Sequence, residues 1–411
     1  MLNNISWRNI WRNKTRSIVL TASVAIGLFG GIFSFAFYNG MAEQTIDNSI
    51  STEISNIQIH NPKFADNQEA VYGISEPEKV IAGIRSVNGV KGTASRLLIN
   101  AMAASANSSS GILVKGVDPD EELIISNIKE KITEGSYFNT GKRYPAVISS
   151  KLAEKLKIGV NKKIILTMQN PQGVISGAAF RVAGIFKTDN TNFDEAVMFV
   201  LKEDLAEATG FDPAYVNEIA VRLDDPDDTK AVVTELGSKF SSDVSAGKII
   251  IRGWYEINPF LEMVSGMTVQ MSVILIIIIL CALMFGIVNT MLMSVLERVR
   301  EIGMLMAIGM NGRKIFVMIM LETIYLSLTG GAAGMLLSII AISVTGYTGI
   351  DLSFLAEGLN SYGYSSYIFP AISPFYFLMT SVFVIITAVL SSVLPARRAL
   401  KLNPAEAIRQ N

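Results

Sequence analysis

Residues 297–304 read Glu297-Arg298-Val299-Arg300-Glu301-Ile302-Gly303-Met304, a compact charged turn set between two long apolar runs. Upstream lies Val269 to Leu296; downstream, after the Gly309-Met310-Asn311-Gly312 break, lies Ile315 to Val344. Each run is long enough, at about 1.5 Å of rise per residue, to cross a hydrocarbon layer about 30 Å thick. Two such helices joined by a short charged segment make a hairpin whose turn protrudes on one side of a membrane as a small handle. Two further apolar runs, Ser17 to Tyr38 and Ser373 to Leu394, bring the expected spans to four. The first carries no charge and is followed by Tyr38-Asn39-Gly40-Met41 rather than a small-x-small cleavage site, so it reads as a retained anchor.

The chain has 411 residues and a formal net charge of −1, but its charges are unevenly placed. Arg8, Arg12, Lys14 and Arg16 precede the first span, Arg298, Arg300, Arg313 and Lys314 occupy the turn, and Arg397, Arg398, Lys401 and Arg409 follow the last span. Basic residues beside spans are retained in the cytosol, so both termini and the turn are expected inside and residues 39–268 outside. That outer segment holds 23 bases and 30 acids. The expected fold is a membrane protein of four transmembrane α-helices with a large α+β extracytoplasmic domain inserted between helices 1 and 2. The boundaries are an interfacial helix at 1–16, spans at 17–38, 269–296, 315–344 and 373–394, and the α+β domain at 39–268. A cytosolic coupling loop at 297–314, a short outer loop at 345–372 and a cytosolic tail at 395–411 complete the chain.

Within 39–268 the apolar residues alternate over short runs, the period of half-buried strands. Such runs are Ile54 to His60, Gly111 to Val117, Ala146 to Ile148, Lys163 to Thr167, Phe180 to Phe186, Ala196 to Val200 and Glu218 to Leu223. Helical patterns at Glu76 to Ser86, Ser150 to Leu156, Lys202 to Thr209 and Thr229 to Phe240 fall between them.

No Gly-x-x-x-x-Gly-Lys-Ser/Thr phosphate loop occurs, so ATP is not bound here in that way. One histidine, His60, excludes a histidine-rich metal site, and one cysteine, Cys281, excludes an intrachain disulfide. Both read as structural. The carboxylate pairs Glu121-Glu122 and Asp194-Glu195 read as solvated surface, and Asp224 to Asp228 as a turn. Glu322 stands out as a carboxylate inside a span, with a structural role near the inner interface, facing other helices, as the expected reading and proton coupling as the alternative. Gly27 and Gly31, and Gly330 and Gly334, are spaced for close packing of helices within the subunit. Trp7 and Trp11 share one side of an amphipathic stretch over residues 3–16, and Pro395 is expected to end the last span, with a second short helix starting near Pro404.

Three segments together resemble one family. Trp7 to Arg16 is similar to the start of lipoprotein-releasing permeases. Glu297 to Gly309 is similar to their Glu-Arg-x-Arg-Glu-Ile-Gly-x-x-x-Ala-x-Gly loop, and Pro395 to Arg409 to their closing Pro-Ala-x-x-Ala with Asn-Pro-x-Glu-Ala. Ile57 to Pro62 and Trp254 to Leu261 point the same way. The chain thus resembles an ABC transporter permease of the lipoprotein-releasing (LolC/LolE-type) branch of the MacB/FtsX-like superfamily.

The resemblance implies a bacterial inner-membrane subunit that is not an enzyme by itself. It implies pairing with a second permease subunit, identical or related, and with a cytosolic ABC ATPase dimer that binds the ATP and Mg. Glu297, Arg298, Arg300, Glu301, Ile302, Gly303, Met304 and Gly309 would meet the ATPase. The substrate would be a lipoprotein or another amphiphile, drawn from the outer leaflet and handed to a periplasmic carrier. Phe29, Phe33 and Phe37 with Met267, Met271, Leu275 and Ile278 are candidates for lining an acyl-chain cavity at the subunit interface. Signalling to a cell-wall hydrolase and export of drugs or peptides from the periplasm are the alternative functions. Membrane lipids are expected partners, and nucleic acid is not.

Overall fold

The computed structural model describes residues 14–139 and 141–400, and these form two compact units. The amphipathic stretch with Trp7 and Trp11 and the helix expected near Pro404 lie outside the described residues.

Among the described residues, the helical unit draws on 14–42, Gly266–Asp351 and 367–400. Its elements are α1 (Lys14–Ser49), α2 (Pro259–Glu297), α3 (Val299–Ala307), α4 (Gly312–Thr348) and α5 (Pro374–Leu400). Four of these, all but α3, are long and apolar enough to cross a membrane. Exposed Ile, Leu, Val and Phe side chains stud α2, α4 and α5, among them Phe285, Ile340 and Leu378. Lipid lowers no free energy by expelling such groups, so helices there associate through close contact rather than hydrophobic burial. Glycines supply that contact. A Cβ on Gly330 would lie 2.7 Å from the Thr21 carbonyl oxygen, and one on Gly334 would lie 2.7 Å from that of Ala25, so α4 touches the backbone of α1. Gly27 and Gly31 meet Leu283 and Ile279 of α2. Both glycine pairs therefore pack within the subunit.

Several helix ends differ from expectation, among them that of α2, which starts at Pro259 rather than Val269. α1 continues beyond Tyr38 to Ser49, and its last turn widens into a π-helical segment over Ile50–Ile54. Ser55, at φ 65°, then turns the chain sharply, its hydroxyl donating to the Val221 carbonyl at 2.6 Å. α5 runs straight through Pro395 to Leu400 instead of stopping at it.

The α+β unit comprises Glu43–Ser265 with Leu352–Ser366. Its strands are β1 (Ile57–His60), β2 (Val90–Ala104), β3 (Ser109–Val117), β4 (Ile132–Gly135), β5 (Pro145–Ser149), β6 (Lys163–Gln169), β7 (Ile175–Phe186), β8 (Val197–Leu201), β9 (Glu218–Leu223) and β10 (Ile250–Gly253). They join as β10-β1-β9-β2-β3-β8-β5-β7-β4, with β6 bridging β2 and β7. The 15-residue β2 is the spine: its first half pairs with β9 and its second half with β3 and β6. The two largest apolar clusters of the unit follow from this. Leu97, Ile99, Phe180 and Leu205 centre one; Ile57, Ile59, Ile84, Val221 and Leu236 centre the other.

Candidate functional site

The segment expected as a loop between the second and third spans is a nine-residue helix, α3, set off by a break at each end. α2 stops at Glu297, and Arg298 departs from helical geometry at φ −109°, ψ 18°. Gly309 at φ 95° ends the handle in a conformation that a Cβ disfavours, and Asn311 caps α4 by accepting from the Arg313 amide at 3.2 Å.

One face of α3 looks inward. Val299, Ile302 and Gly303 are buried, and Ile302 joins an apolar cluster with Met291 and Val295 of α2 and Ile315 and Ile319 of α4. Arg298 holds the base of the handle. Its Nε donates to Glu301 at 2.8 Å, while Nη1 donates to the two carboxylate oxygens of Glu322 at 3.3 and 3.2 Å. Glu322 is 2% exposed. A carboxylate at that depth is costly unless a cation is at hydrogen-bond distance, and Arg298 meets the requirement.

The predicted handle residues thus separate into two groups. Glu297, Arg300, Met304 and Gly309 are exposed, whereas Arg298 and Glu301 are half-buried. Ile302 and Gly303, expected against a partner, face the chain's own apolar cluster because a helix of this length, packed between α2 and α4, must bury one side. Ile308, not anticipated, is 85% exposed, and with Met304, 52% exposed, it gives the outward face an apolar tip. Their spacing of four residues is the helical signal that locates them.

A groove of about 560 Å³ runs between α1 and α2. Leu20, Val24, Gly27 and Gly31 form one wall, Leu275, Ile279, Leu283 and Ile287 the other. Of the seven residues expected to line an apolar cavity, Leu275 alone does so here. Phe29 sits two residues from Gly27 and Gly31, about 200° around the helix, and therefore points away from α2. Phe29, Phe33 and Phe37 are half-buried, with the first two rings stacked at 5.6 Å. Met267, Met271 and Ile278 lie exposed on the outer side of α2.

In the α+β unit, one carboxylate of each pair expected at the surface is instead interior, while Glu195 is exposed and Glu121 partly so. Arg96, 1% exposed, donates from Nε and Nη2 to Glu122 at 2.9 and 2.6 Å and from Nη1 to Glu218 at 2.7 Å. Glu122 is 1% exposed and Asp194, which accepts from the Thr188 hydroxyl at 2.8 Å, is 2% exposed. Neither is solvated surface. Beside them Lys115 donates to the Glu53 carbonyl at 2.8 Å and lies over the rings of Phe193 and Phe199. His60 is bracketed by the Asn217 carbonyl at 3.0 Å and Gln58 Oε1 at 3.1 Å. Burial holds the His60 pKa below its ordinary value against the pull of Glu218, and burial pushes Lys115 down to about 8. Burial works to raise Glu218, but Arg96, His60 and Lys115 outweigh it and leave the carboxylate low. The cluster is internally satisfied, and no group of His, Cys, Asp and Glu among the described residues is arranged to hold a metal.

With this geometry in view, the comparisons with known proteins are consistent over both units. Residues 17–239 match the MacB-like periplasmic core domain, and residues 272–404 match the FtsX-like permease C-terminal region. The chain is 25% identical to the pyoverdine export ATP-binding/permease protein PvdT of Pseudomonas entomophila, over 98% of its own length and 58% of that protein. It is 24% identical to the uncharacterized ABC transporter permease YknZ of Bacillus subtilis, over 98% of its own length and 96% of that protein. The crystal structure of the periplasmic region of MacB from Actinobacillus actinomycetemcomitans aligns at 10% identity and a TM-score of 0.36, over 51% of this chain and 94% of that one. The chain therefore spans little more than half of PvdT but nearly all of YknZ. Since the MacB-like match alone takes in more than half of the residues, the chain belongs to the MacB/FtsX-like family of permeases.

Proposed function

We propose that this chain is the permease subunit of an ATP-driven ABC transporter that works by mechanical transmission, moving an amphiphilic substrate on the outer side of a bacterial inner membrane. The observation that carries the reading is the handle: a short helix that exposes Arg300 and Met304, flanked by exposed Glu297 and Ile308 and fixed between two long apolar helices. Its basic surroundings favour the cytosolic side. A partner ATPase dimer would bind ATP and Mg and seat on that face, and a second permease subunit would complete the assembly.

The groove between α1 and α2 supplies an apolar surface for a substrate's chain. Extraction of lipoproteins for a periplasmic carrier is the form of this function favoured by the motifs at both ends of the sequence. Export of a small molecule from the periplasm is the second reading, favoured by the similarity to PvdT across both units. Signalling to a cell-wall hydrolase has no comparable support.

The test is a release assay in proteoliposomes holding the chain, its cognate ABC ATPase, a lipidated protein and a soluble acceptor. ATP-dependent transfer is expected, and Ile308→Asp should lower it at least tenfold while the chain still accumulates. Vigorous ATP hydrolysis without transfer would remove the lipoprotein reading, and ATP-dependent efflux of a small amphiphile in the same vesicles would establish the second.

A further inference from the structure

We infer that residues 352–366 form a lipid-contacting foot on the zwitterionic outer surface of the membrane. The inference assumes that α4 and α5 are spans.

The segment that links α4 to α5 divides its loyalties. Ile350–Asp351 and Tyr367–Ile368 pair as a two-stranded ribbon grouped with the helices, while Leu352–Ser366 between them belongs to the α+β unit. It is held there by the Asn192 amide, which donates to the Ser361 carbonyl at 3.1 Å, and by Gly363, which packs beside Asn190. The Leu352 amide donates to the Ser366 carbonyl at 2.8 Å and closes the base of the segment. Within it, a short 3₁₀ turn at Ser353–Leu355 leads into a helix at Ala356–Ser361.

What this fold leaves outside is apolar. Phe354 is 79% exposed, Leu355 50% and Tyr362 67%. Side chains of this size are not presented to water in such density without a medium to receive them.

Chain length decides which medium. Phe354 follows the end of α4 at Thr348 by six residues, which span at most about 20 Å when extended. The lipid-facing surface of α4 reaches Val344 and Tyr347, and that of α5 begins at Phe375, all of them exposed. The foot is therefore tethered at both ends to the boundary of the hydrocarbon layer, where aromatic side chains partition favourably. Its charges choose among lipids. Residues 345–372 contain Asp351 and Glu357 and no Lys or Arg, so an anionic surface would repel it and a zwitterionic one would not.

The single native cysteine makes the test direct. In a Cys281→Ser background, an environment-sensitive NBD label is placed at Phe354→Cys, with Lys91→Cys as an exposed aqueous control and unsubstituted Cys281 as the span control. Each full-length protein goes into phosphatidylcholine nanodiscs. The Phe354 label is expected to emit to the blue of the Lys91 label and to be quenched at least twofold more by lipid carrying a nitroxide at carbon 5 than by aqueous iodide. Exchanging a third of the lipid for phosphatidylglycerol should leave this signal equal or weaker. An iodide-quenched, unshifted Phe354 label would overturn the foot, provided that the Cys281 label is quenched by lipid; if Cys281 also fails, the membrane reading itself falls. A blue-shifted label that lipid nitroxides do not reach would mean burial against protein and would equally overturn it. A rise with phosphatidylglycerol would overturn the zwitterionic preference. Leu355→Cys provides a second site if Phe354→Cys does not accumulate.

Discussion

The two units bury charge by opposite arrangements. In the α+β unit, Arg96 is enclosed by Glu122 and Glu218 within a dense β-rich interior, so three ions share one dry site. In the helical unit, Glu322 sits among helices and is answered by Arg298, which comes from the neighbouring handle and remains 18% exposed at its side chain. The first arrangement is closed within one unit, joining β2, β9 and the short helix Pro119–Ile125. The second ties two elements together at the edge of the membrane, where a guanidinium can reach inward while the handle stays in water. Burial of ions joins two strands to a short helix in the α+β unit, and in the helical unit it ties the base of α3 to α4.

Breaking the closed arrangement should have the largest effect. Arg96→Leu leaves Glu122 and Glu218 buried without their cation, and a loss of about 3–5 kcal/mol is expected. Thermal unfolding of the detergent-solubilised chain would read it as loss of β-sheet signal well below the wild-type midpoint. An unchanged midpoint would mean that the two carboxylates find other partners.

The helical unit should break by a different route, through contact distance. Gly334→Val places a Cβ where only 2.7 Å separates it from the Ala25 carbonyl, and α1 must move aside. A loss of about 1–3 kcal/mol is expected for such overpacking. Denaturant unfolding monitored at an α1 label should show it, with the β-sheet transition unchanged. If both transitions shift together, the units do not respond separately.

The smallest effect sharpens the comparison by pH. Burial depresses the His60 pKa, so its folded value lies below the unfolded value of 6.5. Its stabilising contribution is full above that value and is lost as the pH falls through the folded one. Glu218 loses its contribution only below its unfolded value of 4.5, again as the pH falls through a depressed folded pKa. His60→Gln should therefore reduce the drop in midpoint between about pH 6.5 and pH 5 by roughly 2–4 °C and leave the steeper fall at lower pH in place. A pH profile identical to wild type would exclude His60 as the mildly acid-sensitive group.

The long apolar runs were legible because a helix that meets lipid must be apolar on nearly every side, and that leaves an unbroken signature. The strands at Lys163 and Glu218 were visible for a related reason, since their side chains divide between core and surface or gather into short apolar runs. β2 escaped notice. Buried without interruption from Thr93 through Ile99, its first part mixes Gly, Ala, Ser and Arg and shows no alternation, which begins only at Asn100. Arg96, in the middle of it, looks polar until Glu122 and Glu218 are brought to it from 26 and 122 residues away. The handle was visible as a charged interruption between apolar runs, but not the direction of each charge. Arg298 and Arg300 are alike in composition and two residues apart, and only the break at Arg298, ahead of α3, shows that the first turns to Glu322 while the second is exposed.

The bond from Arg298 to Glu322 also limits how this protein can be recombined. A handle taken from a relative and inserted between α2 and α4 would bring its own docking face but leave the carboxylate of the host's α4 behind. Where the donor lacks an arginine at the first break, the graft strands an anion among helices. The smallest transferable piece is therefore not the handle: it extends through the second turn and into α4 as far as Glu322, and successful exchanges should move that whole stretch together.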